Sequence, residues 1–273
     1  MSRNRWSLAT NVGATGRAGA ALAFSRERKS EVLVGTRASV ACVDLDSAAA
    51  DKSAVTLKGS HRHEVVDICF HPNGAQCVTV SVDSVTLWNV TDWSRLQSMG
   101  AGAGVVAAAY TPSGSTLLVA FRDDTILGWS TSTMERTVTL SLADLGSAGA
   151  TITCMSCSPD GRLLLTGTVG RDLLLWDLEH ECLLRVVELP STCSSVVQAE
   201  FIRGFESGEG GDAASDGGAG LGDFAAAVLG DDGEVLVIRP TATVVRVLLR
   251  VSRPRSRAVL SFAVEPKGRY LAR

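Results

Sequence analysis

The sequence lacks a long apolar run and has few aromatic side chains. Aromatic residues make up 5% of its 273 positions, with 2 Tyr and 7 Phe against 27 Gly. No run approaches the ~18 apolar residues of a membrane-spanning helix, and no apolar stretch follows the basic start at Met1 to Arg5. We therefore expect a cytoplasmic protein without a membrane span, and the glycines predict many turns.

Motifs for catalysis and for metal or cofactor binding are also missing. The 7 cysteines lie mostly in apolar runs, which indicates reduced thiols that behave as small apolar side chains. Cys154 and Cys157 are spaced as CxxC, but on a strand they point to opposite faces, which does not suit a zinc site. No Gly-x-Ser-x-Gly motif occurs, and the glycine-rich residues 13–19 lack the ending of a phosphate loop. We therefore expect a protein that is not an enzyme and has no cofactor. The alternative is an enzyme whose catalytic side chains are far apart in sequence and come together only in the folded structure.

One phrase recurs along the chain: an apolar strand, a Pro-x-Gly turn, a second strand, a short turn and a third strand that ends in Trp. Pro presets φ and Gly tolerates positive φ, so each Pro-x-Gly predicts a tight turn. The Trp positions are 41 and then 47 residues apart, close to the ~40–45 residues of one four-stranded blade in a WD-repeat propeller. The three full copies end in Trp88, Trp129 and Trp176.

Weaker copies flank the three full ones, with Val43 and Ile238 at the Trp position. The sequence therefore predicts an all-β WD-repeat β-propeller of about five four-stranded blades plus an incomplete sixth, truncated at both ends. A stray last strand and a connector occupy residues 1–18. The predicted blades cover about residues 19–59, 60–100, 101–145, 146–190 and 191–250, with a partial blade over 251–273.

An unclosed propeller leaves strand edges with unpaired N–H and C=O groups, which invite pairing with another chain. We therefore expect this chain to be poorly soluble by itself. Pairing of residues 5–10 with the hairpin at 258–273 is the alternative, because it would complete a sixth blade.

The Trp88 copy carries the hydrogen-bond set by which WD repeats resemble one another. His61 follows a Gly59-Ser60 pair that resembles the Gly-His start, and Ser81, Asp83 and Trp88 fall at the hydroxyl, turn-aspartate and tryptophan positions. This resemblance implies that the indole N–H is tied through Ser and His to Asp, so His61 is interpreted as structural. Asp123 and Asp232 take the turn-aspartate position in two other blades, whereas Arg37 and Gly170 replace it elsewhere.

Charge is unevenly distributed along the second half of the chain. Residues 200–234 are acidic, and within them 204–223 have almost no large apolar side chain, which predicts a disordered acidic insertion. Residues 239–273 are basic, and Arg253, Arg255 and Arg257 are candidates for binding an acidic partner, anionic lipid or RNA. A solvated loop is the alternative reading of these arginines, and the lack of nearby aromatic side chains disfavours nucleic acid.

A more specific resemblance rests on short phrases in a fixed order along the chain, which are Ala21 to Phe24, Arg28 to Val34, Val80 to Trp88, Glu188 to Pro190, Glu200-Phe201 and Pro266 to Leu271. Together they resemble the amino-terminal propeller of the TBC-domain family member 31 proteins, whose pattern lacks the insertion at 204–222. The resemblance implies an interaction scaffold of the centrosome, centriolar satellites or ciliary basal body, with other proteins as partners. A regulatory propeller of a Rab GTPase-activating protein, whose TBC domain is missing from this chain, is the alternative function.

Overall fold

The computed structural model of the chain describes most of its middle part and shorter segments on either side. The described residues are 21–24, 31–36, 38–44, 55–57, 61–100, 102, 104–142, 151–189, 193–202, 224–240, 247–251, 263–264 and 271–272. The predicted stray strand at 5–10, the predicted insertion at 204–223 and the arginines Arg253, Arg255 and Arg257 lie outside these residues.

The chain divides into two compact units, and the first comprises residues 1–70 and 74–100. It contains two antiparallel sheets, each with its four strands side by side in sequence order. The strands are β1 (Ala21–Phe24), β2 (Glu31–Thr36), β3 (Ser39–Asp44) and β4 (Val55–Leu57), then β5 (Val65–Phe70), β6 (Gln76–Ser81), β7 (Ser84–Asn89) and β8 (Arg95–Gly100).

The second unit comprises residues 71–73 and 101–273 and contains three more four-stranded sheets and a two-stranded one. The four-stranded sheets are again antiparallel, with neighbours in sequence order. The strands are β9 (Val105–Tyr110), β10 (Thr116–Phe121), β11 (Thr125–Ser130) and β12 (Arg136–Ser141); β13 (Ile152–Cys157), β14 (Leu163–Thr168), β15 (Asp172–Asp177) and β16 (Cys182–Glu188); β17 (Val196–Ile202), β18 (Ala225–Gly230), β19 (Val235–Ile238) and β20 (Val247–Val251); and β21 (Ala263–Val264) with β22 (Leu271–Ala272).

The predicted all-β class is confirmed: the described residues form no helix, and each four-stranded sheet has the strand order of a WD-repeat blade. The Pro-x-Gly turns join the first two strands of three sheets. Their glycines Gly74, Gly114 and Gly161 have φ of 74°, 74° and 78°. An L side chain rarely adopts this conformation, which explains why the repeat requires Gly there.

The core of the first unit lies between its two sheets. Trp88 is 1% exposed and belongs to a buried cluster with Leu33 and Val40 of the first sheet and Val65 and Cys77 of its own. These side chains fill the space between the two sheets. Cys77 behaves as a core residue, since burial raises the pKa of its thiol to about 12.

The second unit has two such cores, one between each pair of neighbouring four-stranded sheets. Trp176 is 1% exposed and packs in a cluster with Leu118 and Ile126 of sheet β9–β12. The other face of sheet β13–β16 contributes Leu165 and Leu175 to a cluster that also holds residues of sheet β17–β20. Sheet β13–β16 is thus buried on both faces, which accounts for its runs of three leucines.

Gly167 permits the close approach of sheets β13–β16 and β17–β20. A Cβ atom built on it would lie 2.4 Å from Val196 Cγ1 and 2.7 Å from Cys154 Sγ. Its place in β14 corresponds to that of Gly35 in β2, where a Cβ would lie 2.7 Å from Val65 Cγ1. The two glycines therefore allow the first strand of the following sheet, with Val65 or Val196, to pack closely.

The three repeat tryptophans are not equally buried, and this predicts unequal effects of their removal. Trp88 and Trp176 are each 1% exposed, whereas Trp129 is half-buried. Trp88→Ala and Trp176→Ala are each expected to lower the free energy of unfolding by about 3–5 kcal/mol, because both leave a cavity in a core. Trp129→Ala should cost clearly less. Urea denaturation followed by circular dichroism measures all three, and equal losses would contradict the assigned burial.

Candidate functional site

A chain of hydrogen bonds runs from the core to the surface of sheet β5–β8; we call it the Trp88 network. Trp88 Nε1 donates to Thr79 Oγ1 at 2.8 Å, and Thr79 Oγ1 is 2.7 Å from His61 Nε2. His61 Nδ1 is 3.0 Å from Ser84 Oγ, which donates to Asp83 Oδ1 at 3.2 Å. The network comprises Trp88, Thr79, His61, Ser84 and Asp83.

The charge state of His61 follows from this arrangement. Burial lowers the pKa of His61 to about 4, and the carboxylate of Asp83 opposes the shift only in part. With a neutral ring, every donor finds one acceptor if Thr79 O–H donates to Nε2 and Nδ1–H donates to Ser84. His61 is therefore fixed in one tautomer as a link between two hydroxyl groups.

The predicted set placed the wrong hydroxyl between the tryptophan and the histidine. Ser81 is fully buried, but it donates to Asp83 Oδ1 at 3.4 Å, and Thr79 is the partner of Trp88. The register explains this, because Trp88 lies opposite Cys77 and an aromatic side chain reaches the diagonal neighbour two residues on, which is Thr79. Ser81 lies about 7 Å farther along β6. His61, Asp83 and Trp88 do belong to the network.

The same diagonal position decides whether the other sheets can bind an indole N–H. Trp176 lies opposite Leu164, and its Nε1 donates at 3.1 Å to Thr166 Oγ1, two residues on. Trp129 lies opposite Leu117, so its diagonal neighbour is Val119, which has no acceptor. Among the tryptophans that the structure describes, the two that are fully buried are thus the two that face a threonine.

Aspartates also hold the turns between the second and third strands, as predicted for Asp123 and Asp232. Asp123 Oδ1 accepts from Thr125 N at 3.2 Å and from Thr125 Oγ1 at 2.6 Å, and Asp232 Oδ1 accepts from Glu234 N at 3.0 Å. In the sheet with Gly170, Thr168 Oγ1 takes over by donating to the Gly170 carbonyl at 2.5 Å. Arg37, at this position in the first sheet, lies outside the described residues.

A cleft of about 280 Å³ opens between sheets β9–β12 and β13–β16, at the end where the Pro-x-Gly turns lie; we call it the interblade cleft. Its apolar wall is formed by Leu118 and Val138 of the first sheet and Leu178 of the second. Leu118 is fully buried, whereas the other two are partly exposed.

The rim of the interblade cleft is polar on both sides. One side carries the hydroxyl groups of Thr111, Ser113 and Ser115, and the other carries Asp160, Arg162 and Glu179. Arg162 Nη2 lies 3.7 Å from Glu179 Oε2, with both side chains more than half exposed. Asp160 Oδ1 accepts from Ser158 Oγ at 2.5 Å and from Arg162 N at 3.1 Å, which holds it in place on the turn.

Within the described ranges, no three His, Cys, Asp or Glu side chains are grouped as metal ligands would be, and no helix is long and apolar enough to cross a membrane. Cys154 and Cys157 both lie in β13, and burial raises the pKa of the Cys157 thiol to about 12. A thiol with such a pKa is a poor metal ligand and a poor nucleophile near neutral pH.

The Trp88 network predicts that Thr79→Val destabilises the protein more than Thr166→Val. Both changes keep the shape of the side chain and remove the acceptor of a buried indole N–H, at a cost of about 1–3 kcal/mol. Thr79→Val also removes the partner of His61 Nε2, whereas Thr166→Val breaks only the hydrogen bond from Trp176 that is described above. Free energies of unfolding from urea denaturation compare the two variants, and a neutral Thr79→Val would contradict the network.

The lowered pKa of His61 predicts that acid weakens the fold. In the unfolded chain His61 binds a proton near pH 6.5, whereas in the folded chain it does so only near pH 4. The stability that the neutral His61 provides is therefore complete above pH 6.5 and is lost as the pH falls towards 4. The melting temperature should therefore fall across this window. His61→Gln should melt lower at pH 7 but depend less on pH, and parallel pH profiles for both proteins would exclude His61 as the cause.

Comparison with known proteins agrees with these repeats. The family described as WD domain, G-beta repeat matches residues 51–88 and 140–177, which are the copies that end at Trp88 and Trp176. These are the two copies with the tryptophan–threonine hydrogen bond.

Relatives named TBC1 domain family member 31 match nearly the whole chain. Identity is 29% over 99% of this chain for the Xenopus laevis protein, 30% over 99% for that of Oryzias latipes and 28% over 98% for that of Homo sapiens. The chain spans about a quarter of the length of these relatives, with 23%, 24% and 23% covered. The resemblance predicted from the sequence is confirmed: the chain contains WD repeats and is similar over nearly its whole length to a part of TBC1 domain family member 31.

Proposed function

We propose that the chain is a protein-interaction scaffold that acts at the centrosome, centriolar satellites or ciliary basal body. The observation that carries the interaction role is the set of WD repeats on four-stranded sheets, since such sheets offer rigid edges and variable loops for binding. The cellular place rests on what the resemblance to the TBC1 domain family member 31 proteins implies.

The name of these relatives also supports a second candidate, a regulatory propeller within a Rab GTPase-activating protein. In that case the contact with the GTPase would lie in the part of the relatives that this chain does not span. Both candidates give the repeats the same task, which is to bind other proteins.

Proximity labelling with the tagged chain in ciliated cells tests the proposal. We expect labelled proteins of the centrosome and the basal body to be enriched over a cytoplasmic control that carries the same tag. Enrichment of Rab GTPases without centrosomal proteins would favour the second candidate, and no enrichment of either class would contradict both.

The labelling experiment can also test whether the arginines at 253, 255 and 257 bind partners, by comparing a variant without them with the wild-type chain. Replacing Arg253, Arg255 and Arg257 with Ser should reduce the set of labelled proteins and leave the melting temperature unchanged. The sequence predicts a turn with solvated arginines here, and charges in solvent guide association more than they stabilise a fold. Serines in place of Arg95, Arg122 and Arg136, which are exposed elsewhere, serve as the matched control. If both triple variants label the wild-type set, the arginines have no binding role.

A further inference from the structure

The interblade cleft exists where one sheet departs from the repeat. Gly128 directly precedes the Trp position of β11, and the corresponding residues are Leu87 in β7, Leu175 in β15 and Val237 in β19. Leu175 is 2% exposed and fills the space between its sheet and sheet β17–β20. The glycine leaves the corresponding space beside sheet β9–β12 without a side chain of that size.

Two neighbouring side chains lie where a side chain at Gly128 would begin. A Cβ atom on Gly128 would lie 2.8 Å from Val138 Cβ and 3.0 Å from Leu118 Cδ2. Both side chains therefore lean over the glycine, and the free volume lies between them and Leu178 of the next sheet. The two side chains that cover Gly128 thus form, with Leu178, the apolar wall of the cleft.

The size of the interblade cleft restricts what it can hold. About 280 Å³ is at the lower limit for a small-molecule site, roughly 300–1,000 Å³, but is ample for one large side chain. A partly exposed apolar wall surrounded by polar groups is also typical of the pockets that hold anchor residues of protein partners. The volume and the lining thus suit one apolar side chain of a peptide.

The charges at the rim of the cleft indicate which type of residue would neighbour the apolar side chain in a bound peptide. Asp160 and Glu179 provide two carboxylates against the single guanidinium of Arg162, which already lies near Glu179. Ser113 and Ser115 are exposed residues whose hydroxyl oxygens lie 2.8 Å apart, and a hydroxyl oxygen has a second lone pair that can accept from a peptide N–H. A positively charged residue next to the apolar one therefore meets a complementary potential.

We propose that the interblade cleft binds a peptide segment of a partner protein in which a large apolar residue stands next to Lys or Arg. The apolar side chain packs on Leu118, Val138 and Leu178, and the cation lies by Asp160 and Glu179. The proposal rests on the interaction role proposed above in taking the ligand to be a peptide. It does not depend on where in the cell the protein acts.

A phage-displayed library of random heptapeptides, selected on the purified chain, tests this site. We expect selected peptides to carry an apolar residue beside Lys or Arg. Ser115→Trp, which places an indole at the rim, should weaken their binding by about tenfold or more in fluorescence anisotropy, an estimate for the loss of one anchor contact. Ser132→Trp is the matched control, because Ser132 is exposed in the turn between β11 and β12 and does not line the cleft.

The double change Asp160→Asn and Glu179→Gln tests the charge requirement while keeping the shape of the rim. It should weaken binding several-fold at low salt and much less at 1 M salt, where the screening length is about 3 Å. Melting temperatures of all variants establish that they are folded. The proposal is overturned if the selected peptides lack the motif, or if folded Ser115→Trp binds them like wild type. Failure of the labelling experiment alone would leave peptide binding intact and remove only the cellular role.

Discussion

The structure depends on one requirement, that the indole N–H of a tryptophan buried between two sheets must have an acceptor. Trp88 and Trp176 meet it with a threonine placed diagonally on the neighbouring strand, at 2.8 and 3.1 Å. A buried N–H without an acceptor lowers the free energy of unfolding by about 1–3 kcal/mol. The threonine hydroxyl therefore determines whether the tryptophan ring can be buried between the sheets. Where Val119 takes the position, Trp129 stays half-buried.

The interblade cleft lies beside an interface that large side chains otherwise fill. Sheet β13–β16 is apolar on both faces, with Trp176 packed towards sheet β9–β12 and Leu175 towards sheet β17–β20. At the position of Leu175, sheet β9–β12 has Gly128, and Leu118 and Val138 cover this glycine. The same two side chains line the cleft, whose rim is formed by polar turns.

Much of the fold could be predicted because each strand of the repeat pairs with a strand close to it in sequence. The Pro-x-Gly turns and the tryptophan spacing identify strands that pair with their neighbours in sequence, and Gly74, Gly114 and Gly161 adopt the positive φ that the turns require. The hydroxyl of the Trp88 network was misplaced at Ser81, because the sequence shows the order of residues along β6 but not which one lies diagonal to the ring. Register between Cys77 and Trp88 supplies that information.

The sequence by itself determined the all-β class, the repeats and the residues that hold the turns, since these follow from local backbone preferences and from apolar patterns within a few dozen residues. Only the tertiary structure decided that Thr79 and His61 join Trp88 to Asp83, that burial keeps His61 neutral, and that a cleft lies between Leu118, Val138 and Leu178. These properties arise from side chains of different strands and sheets, whose distances are set by packing and not by their separation along the chain.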